Sequence, residues 1–331
     1  MIAPFENTNV PFPREDYFIV TKVGRISSSE FNYSAPWVYK SIKRSLARLN
    51  TSHLDVVYCH DVEFVTASEV LTAVKELRRI RDTEGTIKYI GISGYPVSAL
   101  CDLAELILKE TGEPLDCVMS YANFTLQSKR LKSEGLTRLT AAGVDVVPNA
   151  SVLGMGLLRS GGVPEGGMGN WHPAPAGLQT ACRAASEYCY SIGEKLEVVA
   201  IRWALESWLI EGESVGSKGD PASGVKWKQQ TIDEVGSRRL GVSVMGVSNM
   251  QELEETMRVW RSILDGLEGG RETAVQAGRW EGDHEWSLKR RDEIRAIADH
   301  LWKNQFGKWQ NFAWASPGED YVRVLTAAEK D

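Results

Sequence analysis

The feature that most constrains this chain is a strand, helix, strand run between Tyr17 and Asp61, in which each strand-like segment brings a chemically useful residue to its end. YFIVTKVGR carries Lys22, and HLDVVYCHD carries His60. Between them lies PWVYKSIKRSLARLN, where Val38, Ile42, Leu46 and Leu49 recur at helical spacing. Pro36 suits the first helical position, and Lys40, Lys43, Arg44 and Arg48 form a polar face. This is one βαβ unit, with its helix outside a parallel sheet. The carboxyl ends of such strands form the functional face, so Lys22 and His60 are expected together there, on adjacent strands.

The alternation continues. Thr66 and Glu69 make a capping box for a helix with Val70, Val74 and Leu77 inward, and Gly85 stops it. IKYIGISGY is the third strand, a helix follows from Pro96 to Gly112, and DCVMSYANF is the fourth. A helix over about 128–142 leads to VDVVPNASVLGMGLL, a fifth strand running into a glycine-rich loop. Two further helical runs, around Leu178 to Ile192 and VVAIRWAL, precede VSVMGV, the sixth strand, and Asn249 is placed to cap the helix after it. Residues 1–16 read as an unstructured lead-in, 17–267 as the folded α/β unit, 211–239 as a polar insertion or lid, and 268–331 as a helix near 285–303 with an aromatic tail of Trp309, Phe312 and Trp314.

Two architectures fit six strands alternating with helices: an open doubly wound sheet, or part of a (β/α)8 barrel. A doubly wound dinucleotide fold usually carries GxGxxG directly after its first strand, and TKVGRISSSE has no such pattern. The barrel is therefore favoured. A chain of 331 residues with 43% hydrophobic composition can bury such a core.

Charge and cysteine usage narrow the partners. With 38 basic against 44 acidic residues the net charge is −6, and no dense Lys/Arg run argues for nucleic acid. The five cysteines, Cys59, Cys101, Cys117, Cys182 and Cys189, form no CxxC pair or zinc spacing and read as reduced thiols of a cytosolic protein. The opening residues lack a signal-peptide pattern, and no apolar run is long enough for a membrane span. Paired strand-end carboxylates, a metal cluster and GxSxG are all missing, which argues against a hydrolase.

Taken alone, Lys22 reads better as a solvated strand-end lysine and His60 as a hydrogen-bonded core histidine, and their pairing inside two motifs reverses that. Together, TKVGR, LDVVYCHD, IKYIGISGYP, NASVLGMGLL and VMGVSN resemble, in order, the aldo-keto reductases, and within them the NAD-dependent aldose 1-dehydrogenases acting on L-galactose or D-arabinose. The resemblance spans roughly residues 17 to 265. It implies a (β/α)8 barrel that binds NAD, with NADP less favoured, and oxidises a small aldose at C1 to its lactone by direct hydride transfer. Lys22 and His60 match the catalytic lysine and histidine. A lysine beside a tyrosine hydroxyl stabilises phenolate, and the histidine orients the reacting oxygen.

For the cofactor, the resemblance implies that Ser93 holds the carboxamide, with Gly94 where an asparagine is common. It places Ser151, Leu153, Gly154, Met155 and Gly156 around the pyrophosphate, although a plain flexible loop explains those residues equally well. Gly246, Val247, Ser248 and Asn249 match a phosphate-binding helix start, with Glu255 near the adenosine end. Ala150 stands where many members stack an aromatic ring on nicotinamide.

Nothing before Tyr17 resembles the two βα units that carry the family's catalytic aspartate and tyrosine. The expectation is an incomplete barrel from a truncated product, with the competing reading of a relative that binds nucleotide or a partner without turnover. Trp309, Phe312 and Trp314 are expected to be tail packing, not a sugar platform.

Overall fold

In the computed structural model the described residues are 14, 17–163, 172–217, 239–267 and 283–324. Six strands form one sheet in sequence order, every pair parallel: β1 (Val20–Val23), β2 (Leu54–His60), β3 (Ile87–Gly94), β4 (Cys117–Tyr121), β5 (Asn149–Ala150) and β6 (Ser243–Val244). Helices α1 (Ala35–Leu49), α2 (Ala67–Glu84), α3 (Val97–Thr111) and α4 (Leu136–Ala141) follow β1 to β4 in turn. After β5 come α5 (Ala176–Ser191) and α6 (Leu196–Glu211), and after β6 come α7 (Met250–Leu264) and α8 (His284–Leu301). This is the strand and helix order of a (β/α) barrel, curled but open, since β1 and β6 do not pair among the described residues.

Alternation along each strand sorts the side chains to two faces. Val23, Val57, Cys59, Ile90, Ile92 and Val147 point outward and merge with helix residues such as Val38, Ile42, Val74, Leu77 and Leu100 into the main core. Val56, Tyr58, Cys117, Met119, Val146 and Ala150 form a separate inner cluster. At the two flanks of that inner face Val20 is 51% exposed and Val244 43% exposed, so the inner cluster thins towards both edges.

Local signals set most helix ends. The Thr66–Glu69 capping box is formed, with each side chain bonded to the other's backbone N–H, a cap that contributes about 1 kcal/mol. Gly85 and Gly112 end α2 and α3 in the left-handed region, and Asn249 accepts the Glu252 N–H at the start of α7. Helix α6 is apolar nearly all round because it is packed against α5, α7 and α8.

Several boundaries differ from the sequence expectation. Strand β1 starts at Val20, not Tyr17, and β5 and β6 are two residues each. Pro148 has no N–H to give the ladder, which shortens β5. The helix expected over 128–142 is a π-type turn, Leu131–Gly135, leading into the short α4. The expected insertion begins inside α6, which runs to Glu211; residues 218–238 lie outside the described residues, flanked by an antiparallel Ser217–Leu240 bridge. Most of 1–16 also lies outside them, but Arg14 is docked, bonded to Thr51, the His53 carbonyl and the buried Asp55.

The aromatic tail is a strap over the carboxyl-end face. Asn311 N–H donates to the Gln127 carbonyl at 2.9 Å, the Trp314 ring stacks on Tyr95 at 4.7 Å and 3°, and Val324 N–H reaches the Ser29 carbonyl at 2.8 Å. Arg323 pairs with Glu69 of α2 at 2.7 Å. The strap thus runs from the β4 exit across β3 and β2 to the β1 exit.

Candidate active site

Lys22 and Tyr58 are register partners on β1 and β2, and His60 lies two residues further along the same face. The parallel pairing that the alternation implies thus brings Lys22 and His60 to one end of the sheet. His60 is in register with Ser93 of β3, so three expected site residues share this end. Burial lowers the His60 imidazole to about 4, with Lys22 and Arg25 pushing in the same direction against the opposing pull of Asp61. The ring is therefore neutral at physiological pH and can donate or accept a hydrogen bond without charge.

The turn after β2 is built to hold that ring. Asp61 adopts φ 56°, is buried, and is ion-paired with Arg25 while its Oδ1 lies 3.5 Å from His60 Nε2. The Tyr33 hydroxyl donates to the His60 carbonyl at 2.6 Å, and the Tyr33 ring lies against Gly24, where it leaves no room for a Cβ and where a φ of 99° itself favours glycine. The Ser93 hydroxyl donates to the Cys59 carbonyl at 3.4 Å and is almost fully buried.

No tyrosine hydroxyl is hydrogen-bonded to Lys22 among the described residues. Tyr58 is buried beneath, its phenol facing Cys117; Tyr33 is engaged with His60; and Tyr121, at the end of β4, donates to Glu63 at 3.4 Å. Tyr33 and Tyr58, two tyrosines between Lys22 and His60 in sequence, sit in no motif matching a catalytic tyrosine, and Tyr95 and Tyr121 border this face as well.

Glu63 is the functional-looking residue that motif reading missed. It follows His60 by three positions in the HDVEF run, and its Oε1 accepts from Tyr95 N–H, the Ser316 hydroxyl and the Tyr121 hydroxyl. Burial, aided by the Asp61 charge, pushes it up to about 7. The available signal was an acidic residue just after a buried strand; its partners come from β3, β4 and the strap, which spacing does not connect.

The cofactor motifs converge on a second feature. A cavity of about 470 Å³ is lined by Leu153, Met155 and Gly156 from the loop after β5 and by Gly246, Ser248, Asn249 and Glu255 from β6 into α7. Ser151, Gly154 and Val247 do not line it. Ser151 Oγ accepts the Met155 N–H at 2.9 Å, the Gly154 carbonyl is bonded to His172, and Val247 is 43% exposed. Positive φ at Ser151, Gly154, Met155 and Gly156 winds this loop into successive turns, so its conformation is built and not merely slack. Arg159, Lys195 and Glu197 also line the cavity, from segments outside the motifs. Ala150 sits on the inner face, 8% exposed, with no ring to offer a planar ligand.

The five cysteines are free and buried, and burial raises the thiol pKa of Cys59, Cys101, Cys182 and Cys189. No described helix is long and apolar enough to cross a membrane.

This geometry accords with comparisons to known proteins. The chain is 42% identical over 211 residues to the D-arabinose 1-dehydrogenase of Saccharomyces cerevisiae, covering 63% of this chain and 61% of that protein. It is 32% identical over 247 residues to the L-galactose dehydrogenase of Arabidopsis thaliana, covering 74% and 72%. It is 25% identical over 228 residues to a D-threo-aldose 1-dehydrogenase of a Pseudomonas species, covering 62% and 67%. The chain thus spans about three fifths of the yeast relative's length. The profile of the aldo/keto reductase family matches residues 4–266, which takes in all six strands and both clusters of site residues, and the chain belongs to that family.

Proposed function

We propose that this protein is an NAD-dependent oxidoreductase that oxidises an aldose of the L-galactose or D-arabinose type at C1. The observation that carries the reading is the meeting of two separate cofactor motifs, after β5 and at the start of α7, in one cavity of about 470 Å³ at the carboxyl-end side of the sheet. Leu153, Met155 and Gly156 would hold the pyrophosphate side, Ser248 and Asn249 a phosphate at the α7 start, and Glu255 the adenosine ribose. Ser93 would hold the carboxamide. A bound nicotinamide supplies a two-electron acceptor for the C1 hydride.

The chain's own residues handle the oxygen and its proton. Neutral His60 orients the C1 hydroxyl by hydrogen bonding, and Lys22 supplies positive charge where the oxygen becomes electron-rich. Passing the hydroxyl proton to solvent water and the C1 hydride to the bound acceptor would convert the ring hemiacetal to the lactone. Five buried free cysteines suit a reducing compartment such as the cytosol.

One observation favours a second reading, nucleotide binding without turnover: no described tyrosine is bonded to Lys22. NADH formation across an aldose panel, with a parallel NADH fluorescence titration, separates the two. Sugar-dependent NADH supports the dehydrogenase; saturable binding with no NADH from any aldose supports the second reading; neither signal refutes both.

A further inference from the structure

Helix α7 follows the edge strand β6 and rests on α6 by one side. On that side Val259 and Ile263 join Leu205 and Leu209 of α6 in a small apolar cluster. Glu252, Glu255, Thr256 and Val259 line the cavity, so the same half of the helix carries the cofactor motif. The opposite half is apolar as well. Met250, Leu253 and Met257 are 67%, 37% and 37% exposed, and half-buried Trp260 and Leu264 continue the row. Their alternating spacing of three and four residues keeps all five on one stripe. A helix with two apolar sides needs a neighbour on each, and a contiguous exposed patch of this kind marks an interaction site.

The charges beside the stripe select its occupant. Met250, Leu253, Met257, Trp260 and Leu264 fall at the a and d positions of a heptad, and the e positions that flank them are Glu254 and Arg261, both exposed. These two residues lie equally far from the point between Met257 and Arg258. A twofold axis through that point therefore sets Glu254 against the partner's Arg261, and Arg261 against the partner's Glu254. We propose that α7 is the interface of a homodimer, two copies of the helix packing antiparallel along this stripe. The surface is self-complementary, as a twofold contact requires. A parallel pair gains nothing comparable, because it sets Thr256, a cavity residue, against Arg261.

The stripe is one short helix wide, which puts the contact below the roughly 1,200 Å² at which standard interfaces begin. The dimer is therefore weak and reversible, and it dissociates on dilution. Apolar burial supplies its strength, while the exposed ion pairs add little energy and fix the antiparallel sense. Because the stripe is on the side of α7 away from the cavity, the pairing leaves the cavity open and needs no ligand. It stands or falls separately from the dehydrogenase reading.

The test is analytical ultracentrifugation of the full chain at low ionic strength, from about 1 to about 200 µM, with neither sugar nor nucleotide present. The wild type should pass reversibly from monomer to dimer across that range. Met257→Glu, which sets two carboxylates together at the axis, should stay monomeric. Glu254→Arg and Arg261→Glu should each weaken association by about tenfold, since two like-charge pairs replace two attractive ones. An equimolar mixture of those two variants should regain the wild-type affinity, because every position 254 then faces a position 261 of opposite charge. A wild type that is monomeric throughout, one that grows into assemblies larger than a dimer, or a dimer indifferent to Met257→Glu overturns the interface. A mixture no more associated than its two components overturns the antiparallel pairing. Should Arg261→Glu fail to fold, as circular dichroism would show, the wild-type series and Met257→Glu decide.

Discussion

Glu63 occupies the space that a side chain at position 94 would need: its Oε2 lies 2.5 Å from where a Cβ on Gly94 would stand. Glycine at 94 and a buried carboxyl at 63 are thus two halves of one packing solution. Gly94→Asn should displace the carboxyl and destabilise the protein by about 1–3 kcal/mol through overpacking. Combining it with Glu63→Ala should recover part of that loss. Urea unfolding of both single variants and the double variant measures the coupling, and additive losses would contradict a shared space.

The two shifted groups at this end of the sheet oppose each other in pH dependence. His60 is held down to about 4, so unfolding takes up its proton and its contribution to stability rises with pH from about 4 to 6.5. Glu63 is held up to about 7, so its contribution is full below 4.5 and is lost as pH rises through 7. Between 4.5 and 6.5 the two slopes, each at most about 1.4 kcal/mol per pH unit, offset each other. Relative to wild type, Glu63→Gln should gain stability as pH rises from 5 to 6.5, and His60→Gln should lose it. Urea midpoints at three pH values check this; variants that track the wild type would show the shifts to be absent.

Lys22→Met and His60→Ala should each lower aldose-dependent NADH formation by about 10²–10⁴, because both act on the reacting oxygen and its proton. NADH affinity should stay nearly unchanged, since neither residue lines the cavity between the β5 loop and α7. Steady-state rates and fluorescence titration on the same preparations separate turnover from binding. Near-wild-type rates in either variant would remove that residue from the site.

NADH should bind more tightly than NADPH. Glu252 and Glu255 line the cavity and would repel a 2′-phosphate, and Glu252 is 3.8 Å from Arg159, partly neutralising the nearest guanidinium. Glu252→Gln should free Arg159 and narrow the preference. Titrations with both nucleotides at fixed ionic strength test this, and equal or tighter NADPH binding by the wild type would contradict it.

Alternation of apolar periods, capping residues and ordered motifs was enough, in the sequence alone, to establish a parallel sheet with outer helices, the Thr66 and Asn249 caps, and the pairing of Lys22 with His60 at one end. These are legible because a βαβ unit turns neighbours in sequence into neighbours in space, and because caps act within a single helical turn. Glu63, Tyr121 and the strap were not legible. The Ser316 to Glu63 bond spans 253 residues, and the acidic and basic residues that share the cavity arrive from three separate segments. Whether a carboxyl is a solvated surface charge or a buried acid held near 7 depends on which oxygens find donors and how much water remains, and only tertiary packing decides that.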